Sequence, residues 1–134
     1  WQCSVDTIRR THEAGILVGA HLILGLPGEN REQMLSHADR LSELPITTLK
    51  IHQLQIIRGT IMAGEYMRNP SVFHLFTEEE YISLIVDFVD RLRPDIVLER
   101  FVSQSPSELL LAPRWGWKNH EFTAKIRKAL LAKR

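Results

Sequence analysis

The spacing of apolar and polar residues changes rhythm several times along the chain. From Ser4 to Ala14, Val5, Ile8 and Ala14 stand among charged residues at helical intervals, and Gly15 supplies a left-handed stop. Leu17 to Leu24 is then almost continuously apolar, which predicts a strand covered on both faces in a parallel sheet. Alternation divides that run. Val18, Ala20, Leu22 and Leu24 make an apolar face suited to packing against helices, whereas Gly19, His21, Ile23 and Gly25 make a smaller, partly polar one.

The segment Gly25 to Asn30 holds Pro27 and Gly28 in the order of a type II turn. Asn30 and Gln33 have capping-box spacing, and Met34, Leu35, Ala38 and Leu41 mark one face of the helix that follows, closed by Pro45. Thr47 to Ile57 reads as a second strand of open register: Lys50, His52 and Leu54 share one face, Ile51, Gln53 and Gln55 the other. Arg58 to Pro70 reads as an irregular connection. Thr77 and Glu80 form another capping box before Tyr81, Ile82, Ile85, Phe88, Val89 and Leu92 at helical spacing, and Pro94 ends that helix.

Ile96 to Val102 predicts a third strand, with Glu99 and Arg100 on opposite faces near its end. Ser105, Pro106 and Glu108 have the order of a short helix start, limited by Pro113. After Trp115-Gly116-Trp117, Asn119 is the expected cap of a last helix whose buried stripe is Phe122, Ile126, Ala129 and Leu130.

Strands alternating with helices imply right-handed crossovers and an α/β fold with a parallel sheet, here three β/α units. One domain over residues 1–134 is expected, with about 103–134 as a helical extension. Ligands bind such sheets at the carboxyl ends of the strands. The three loops there, 25–30, 58–70 and 103–118, are richer in Gly, Pro and polar residues than the opposite connections. Three strands alone leave two unpaired edges, which predicts self-association through those edges, or pairing with further protein.

Charge and composition narrow the classes. Seventeen basic and sixteen acidic side chains give a formal charge of +1, so no global field indicates nucleic acid or an acidic membrane. The cluster Lys125, Arg127, Lys128, Lys133 and Arg134 is either an anionic contact or the basic complement of a helix's last turns. Cys3 is the one cysteine, so this chain alone offers no disulfide, zinc knuckle or cysteine-ligated cluster, and a cytoplasmic location is expected. No apolar run approaches the ~20 residues of a membrane span. The start at Trp1, inside what reads as a helix, predicts an excised fragment.

The stretch His21 to Glu29, with Gly25-Leu26-Pro27-Gly28 at its end, resembles the strand and loop in the second half of radical S-adenosylmethionine barrels. Lys50 to Thr60 and Ala112-Pro113-Arg114-Trp115-Gly116 followed by Lys118 are similar to matching parts of the YhcC-like group. The resemblance implies the C-terminal half of a partial (β/α)6 TIM-like barrel. It also implies a parent oxidoreductase or transferase that carries S-adenosylmethionine and a 4Fe-4S cluster, with a CxxxCxxC motif in the missing N-terminal half. This chain would line the pocket, inactive alone and with neither cofactor bound. The family strand motif is written GxIxGxxE. At the aligned positions this sequence has His21, Ile23, Gly25 and Gly28, with Glu29 one step later.

On this reading Gly25, Pro27, Gly28, Glu29 and His21 border the cofactor, and His52, Gln53, Gly59, Thr60 and Arg100 border the substrate. Each has a plainer alternative: a turn for Gly25 to Glu29, a connection for Gly59 and Thr60, hydrogen-bonded core histidines for His21 and His52, and an ion pair of Arg100 with Glu29 or Glu99. Trp115 and Trp117 either stack on a ligand or cover the sheet. No metal-ligating pattern and no catalytic residue is assigned in the chain. Two rival functions stand beside the family reading: a non-redox α/β module holding a phosphate-containing small molecule, and an oligomerising interaction fragment.

Overall fold

A computed structural model describes residues 1–133. Helix α1 (Gln2–Glu13) leads through Gly15, at φ 78°, into strand β1 (Gly19–Leu24). Helix α2 (Arg31–Ser42) follows, then β2 (Thr48–Gln53), the short β3 (Ile56–Ile57) and α3 (Ile61–Arg68). After one 3-10 turn come α4 (Glu78–Arg91), β4 (Val97–Arg100), β5 (Leu110–Ala112) and α5 (Asn119–Lys133). Strands β1, β2 and β4 form a three-stranded parallel sheet in that order. The α/β class and its parallel core are therefore as the sequence predicts.

Both capping boxes form. Asn30 Oδ1 accepts from the Gln33 amide at 2.9 Å while Gln33 Oε1 accepts from the Asn30 amide at 2.9 Å. Thr77 and Glu80 do the same at 3.2 and 2.8 Å. The expected α2 face of Met34, Leu35, Ala38 and Leu41 is buried. Of the expected α4 face, Tyr81, Ile85, Phe88 and Leu92 are buried and Ile82 and Val89 only partly, with Leu84 joining them in one core with Leu24, Leu49 and Ile51. Arg31–Asp87 and Arg91–Glu32 ion pairs, at 2.6 and 2.8 Å, bind the outer surfaces of α2 and α4. At the opposite end of the sheet from the candidate site, the Arg93 guanidinium donates to the carbonyls of Ser42, Leu44 and Ile46 at 2.9 to 3.1 Å. It thereby satisfies the Ser42 carbonyl left open at the end of α2 and two carbonyls of the connection to β2.

The open register of β2 is settled by burial. Leu49, Ile51 and Gln53 point into the helical layer, and Lys50 and His52 lie on the other face with His21. That other face is bare. Ile23 is 46% exposed and Val97 56%, so β1 is covered on one side, not the two its apolar run predicts.

Four further expectations are corrected. The predicted strand 47–57 is two strands: β2 ends at Gln53, and Ile56–Ile57 pair antiparallel with Leu110–Ala112 as a separate ribbon. Within the supposedly irregular 58–70, α3 forms, capped by Thr60, whose Oγ1 accepts from the Ala63 amide at 3.1 Å. No helix starts at Ser105. Its hydroxyl donates to Gln55 Oε1 at 2.7 Å, and the chain makes a single turn, Leu109 N to Pro106 O at 3.0 Å, before entering β5. Asn119 is the first helical residue of α5 and does not cap it; its Oδ1 is buried without a hydrogen bond among the described residues. Arg134 lies outside the described residues.

Candidate functional site

The carboxyl ends of β1, β2 and β4 lie side by side, since the strands are parallel, with one register shift between β2 and β4 at Leu49 and Lys50. The first loop leaves β1 at Gly25. Leu26 to Glu29 closes a turn with the Glu29 amide on the Leu26 carbonyl at 3.0 Å, and Gly28 takes φ 86° there. Gly25 also has positive φ, 88°, and a Cβ built on it would lie 2.5 Å from Phe76 Cε2. The space that glycine frees is thus filled by the Phe76 ring. Glu29 braces the loop from below: its carboxylate accepts from the Leu26 amide at 3.0 Å and contacts His37 Nε2 at 2.8 Å. The capping box engages the Asn30 and Gln33 amides at the start of α2 from within the chain.

The bare face of the sheet carries the titratable groups. His21 on β1 and His52 on β2 have ring centroids 5.5 Å apart. Lys50 Nζ pairs with Glu99 Oε2 at 3.3 Å across β2 and β4. The His52 pKa is lowered, first by burial of its ring and then by the positive charge of its neighbours His21, Arg100 and Lys50. Its Nδ1 is buried and has no hydrogen-bond partner among the described residues. Exposed Ile23, and Leu26 at 41%, set an apolar surface beside these imidazoles.

Of the other sequence candidates, Gln53, Gly59 and Thr60 fall elsewhere, whereas Arg100 is close enough to His52 to lower its pKa. Gln53 is 5% exposed and turned to the opposite face, where its amide clamps Ser103: Nε2 donates to the Ser103 carbonyl at 3.2 Å and Oε1 accepts from the Ser103 amide at 2.9 Å. Gly59, at φ 82°, and Thr60 form the turn into α3, with the Thr60 hydroxyl donating to the Ile57 carbonyl at 2.8 Å. Arg100 is exposed and pairs with neither Glu29 nor Glu99, whose partners are His37 and Lys50. Trp115 is a structural aromatic, stacked on Phe122 at 5.4 Å and donating to the Phe76 carbonyl at 3.1 Å. Trp117 is half-exposed beneath Lys125, and both donate to Glu78. Exposed Ile23 and the Lys50–Glu99 pair are site features that the sequence reading did not single out. A lysine amid β-branched residues was their one local signal.

A cavity of about 290 Å³ lies under the third loop, lined by Gln53, Gln55, Ser105 and Arg114 among others. Its amides and hydroxyls already bond to one another, with Gln55 Nε2 on the Ser103 carbonyl at 3.2 Å. Among the described residues no group of three or more His, Cys, Asp or Glu could hold a metal ion, and the lone Cys3 is exposed on α1. No helix among them is long and apolar enough to cross a membrane.

Residues 46–132 match the family described as Radical_SAM C-terminal domain. The chain belongs to that family. Among curated proteins it is 29% identical to the uncharacterised YtqA of Bacillus subtilis over 97% of this chain and 40% of that one. It is 34% identical to the uncharacterised MJ0486 of Methanocaldococcus jannaschii over 83% of this chain and 34% of that protein. YhcC of Escherichia coli is 28% identical over 84% of this chain and 36% of its own length, in line with the resemblance seen in the sequence. The chain therefore spans 34% to 40% of the length of these relatives. Among solved structures it overlays an archaeal Elp3, from Methanocaldococcus infernus with an N-terminal deletion, at a TM-score of 0.78 and 20% identity. The overlay covers 97% of this chain and 30% of the Elp3 chain, a likeness of fold.

Proposed function

We propose that this chain is the wall of a radical S-adenosylmethionine enzyme's reaction chamber, the C-terminal part of a partial (β/α)6 barrel. The observation that carries the reading is the one-sided sheet. Its helical face is closed by an apolar core while its other face presents Ile23, His21, His52 and Lys50 to open space. A sheet in a finished fold covers both faces when its strands are parallel, so this face calls for an occupant and β1 for a neighbouring strand. The N-terminal half of the same barrel supplies both on this reading; pairing of two copies through these edges is the competing arrangement.

The residues present do not fit the cluster, because one exposed cysteine cannot replace three. They fit a polar, partly apolar ligand better: the neighbouring His21 and His52 rings and the apolar Ile23 surface suit the edge of S-adenosylmethionine or of a substrate. S-adenosylmethionine held against these residues would supply radical hydrogen-abstraction chemistry, with the cluster provided by the rest of the protein. This chain's own part is positional. Glu29 and Phe76 hold the loop after β1, Gln53 holds the loop after β4, and His52, kept neutral by its surroundings, offers a hydrogen bond without adding charge. A cytoplasmic setting accords with a single unpaired cysteine.

Anaerobic reconstitution tests this. The full-length protein, given reductant, should release 5'-deoxyadenosine from S-adenosylmethionine, whereas the 134-residue chain should assemble no site-differentiated cluster. Replacing Ile23 by Glu in the full-length protein should weaken S-adenosylmethionine or substrate binding in equilibrium dialysis. A cluster on the 134-residue chain, or no cleavage by the full-length protein, would overturn the proposal.

A further inference from the structure

The cavity of about 290 Å³ beneath the third loop lies apart from the bare sheet face, because Gln53, which lines it, is turned to the helical side of β2, away from His21 and His52. Its hydrogen-bonding groups are unevenly used. The side-chain oxygens of Gln53 and Gln55 are both engaged, by the Ser103 amide at 2.9 Å and the Ser105 hydroxyl at 2.7 Å. Their amide nitrogens converge on a single acceptor, the Ser103 carbonyl, each at 3.2 Å. A carboxamide nitrogen carries two hydrogens, so each glutamine keeps one in reserve.

The cations follow the same pattern. Arg114 Nη2 donates to the carbonyls of Ser107, at 3.0 Å, and Leu110, which fixes the guanidinium in place and leaves its Nε and Nη1 without an acceptor among the described residues. Arg114 and Lys118 both line the cavity, and neither has an ion-pair partner among the described residues. No acidic side chain among those residues lines it. The cavity thus combines a surplus of donors with two uncompensated positive charges, and a group that only accepts, an anion, answers both.

The rest of the lining shows what the anion must carry. Val102, Leu110, Pro113 and the rings of Trp115 and Phe122, stacked at 5.4 Å, make an apolar wall. An inorganic ion leaves that wall wet, whereas an organic acid covers it with hydrocarbon. The volume lies at the lower edge of the roughly 300–1,000 Å³ usual for small-molecule sites, which selects a small ligand. The planar fork of Arg114 matches a carboxylate.

We propose that this cavity binds a small organic carboxylate, its acid group held by Arg114, Lys118 and the spare amide hydrogens of Gln53 and Gln55, and its apolar body laid against Leu110 and Trp115. The proposal does not rest on radical chemistry, because the site uses neither the cluster nor S-adenosylmethionine.

Isothermal titration calorimetry of the full-length protein with phenylpropionate, without reductant, tests it. A Kd below about 1 mM is expected. Phenylpropanol, with the same body and no charge, should bind at least about tenfold more weakly, for want of charge-assisted hydrogen bonds. Saturating S-adenosylmethionine should leave the phenylpropionate affinity unchanged. Arg114→Gln should weaken binding at least about tenfold through the lost fork. Because Arg114 also holds the turn, Lys118→Gln is the second variant: of Lys118 only the backbone amide is hydrogen-bonded, to Glu121. It should weaken binding about threefold with an unchanged circular dichroism spectrum. Arg127→Gln, outside the cavity, should change nothing. Absence of binding at about 10 mM phenylpropionate, equal affinity for the alcohol, or full affinity in both cavity variants overturns the proposal. Displacement by S-adenosylmethionine overturns it too, in favour of the cofactor's own site, and displacement by inorganic phosphate at equal concentration overturns it in favour of a general anion site.

Discussion

The imidazoles of His21 and His52 face one another across adjacent parallel strands, with centroids 5.5 Å apart and planes inclined by 39°. Partial burial of His52 raises the cost of charging its ring, and the nearby His21 ring adds to it. The folded state therefore holds His52 neutral at a pH where an unfolded histidine already takes up a proton. A lowered folded pKa means that stability rises with pH through that window. The contribution is complete above the ordinary histidine value near 6.5 and is lost as pH falls through the depressed folded value. His52→Gln should flatten the acid limb of a stability-pH curve measured by urea unfolding. In an NMR titration, His21→Gln and Arg100→Gln should each move the His52 midpoint upward; an unmoved midpoint rejects the coupling.

Gly25 and Gly28 share a positive φ but differ in surroundings. An alanine Cβ at 25 meets the Phe76 ring, and one at 28 meets nothing within 4 Å. Gly25→Ala should cost about 2 to 4 kcal/mol, from the left-handed backbone plus overpacking, and Gly28→Ala about 1 kcal/mol from backbone alone. Adding Phe76→Leu to Gly25→Ala should recover part of the loss. Equal costs at the two positions in chemical denaturation would refute the packing role.

Glu29, with 18% of its side chain exposed, joins the Leu26 amide to His37. Removing both hydrogen bonds with Glu29→Ala should cost about 1 to 2 kcal/mol. Hydrogen exchange at the Leu26 amide should accelerate in that variant and stay slow at Tyr81. Uniform acceleration at both amides would show a global effect instead of a loop brace.

Tyr81 Oη donates to the Phe101 carbonyl at 2.6 Å inside the core, and burial raises its pKa well above the usual 10.0. Tyr81→Phe strands that carbonyl and should cost about 1 to 3 kcal/mol. In the parent chain, stability gained from the raised pKa is present below pH 10.0 and lost as pH rises beyond it, so Tyr81 should ionise together with alkaline unfolding. Absorbance at the phenolate band preceding the loss of circular dichroism would contradict this.

What the sequence made legible was local. Asn30 with Gln33 and Thr77 with Glu80 need only three-residue spacing, and both form as read. The apolar face of β1 and the buried stripe of α2 follow from simple periodicity. Ser105 with Glu108 carried the same capping signature and failed, because Gln55 Oε1, fifty positions away, accepts the Ser105 hydroxyl. The break between Gln53 and Ile56 was hidden because no Gly or Pro marks it and the β5 partner is distant in sequence. Helix α3 was obscured by Gly64 and by Ile61 and Met67, which are exposed and so spoil any amphipathic pattern. At the site, the pairing of His21 with His52 depended on strand register, and the direction of Gln53 on which face of β2 was buried. Neither is a property of residue spacing.

The two glutamine clamps have a mechanical meaning. Leu54, Ile56, Ala63 and Phe73 form a small core of their own, apart from the main one. Gln53 and Gln55 rivet this annex to the main body through Ser103 and Ser105, using amides that water can replace at little cost. The annex is accordingly the first part of the molecule to swing loose on warming, and its amide protons should become accessible while those of the parallel sheet are still shielded.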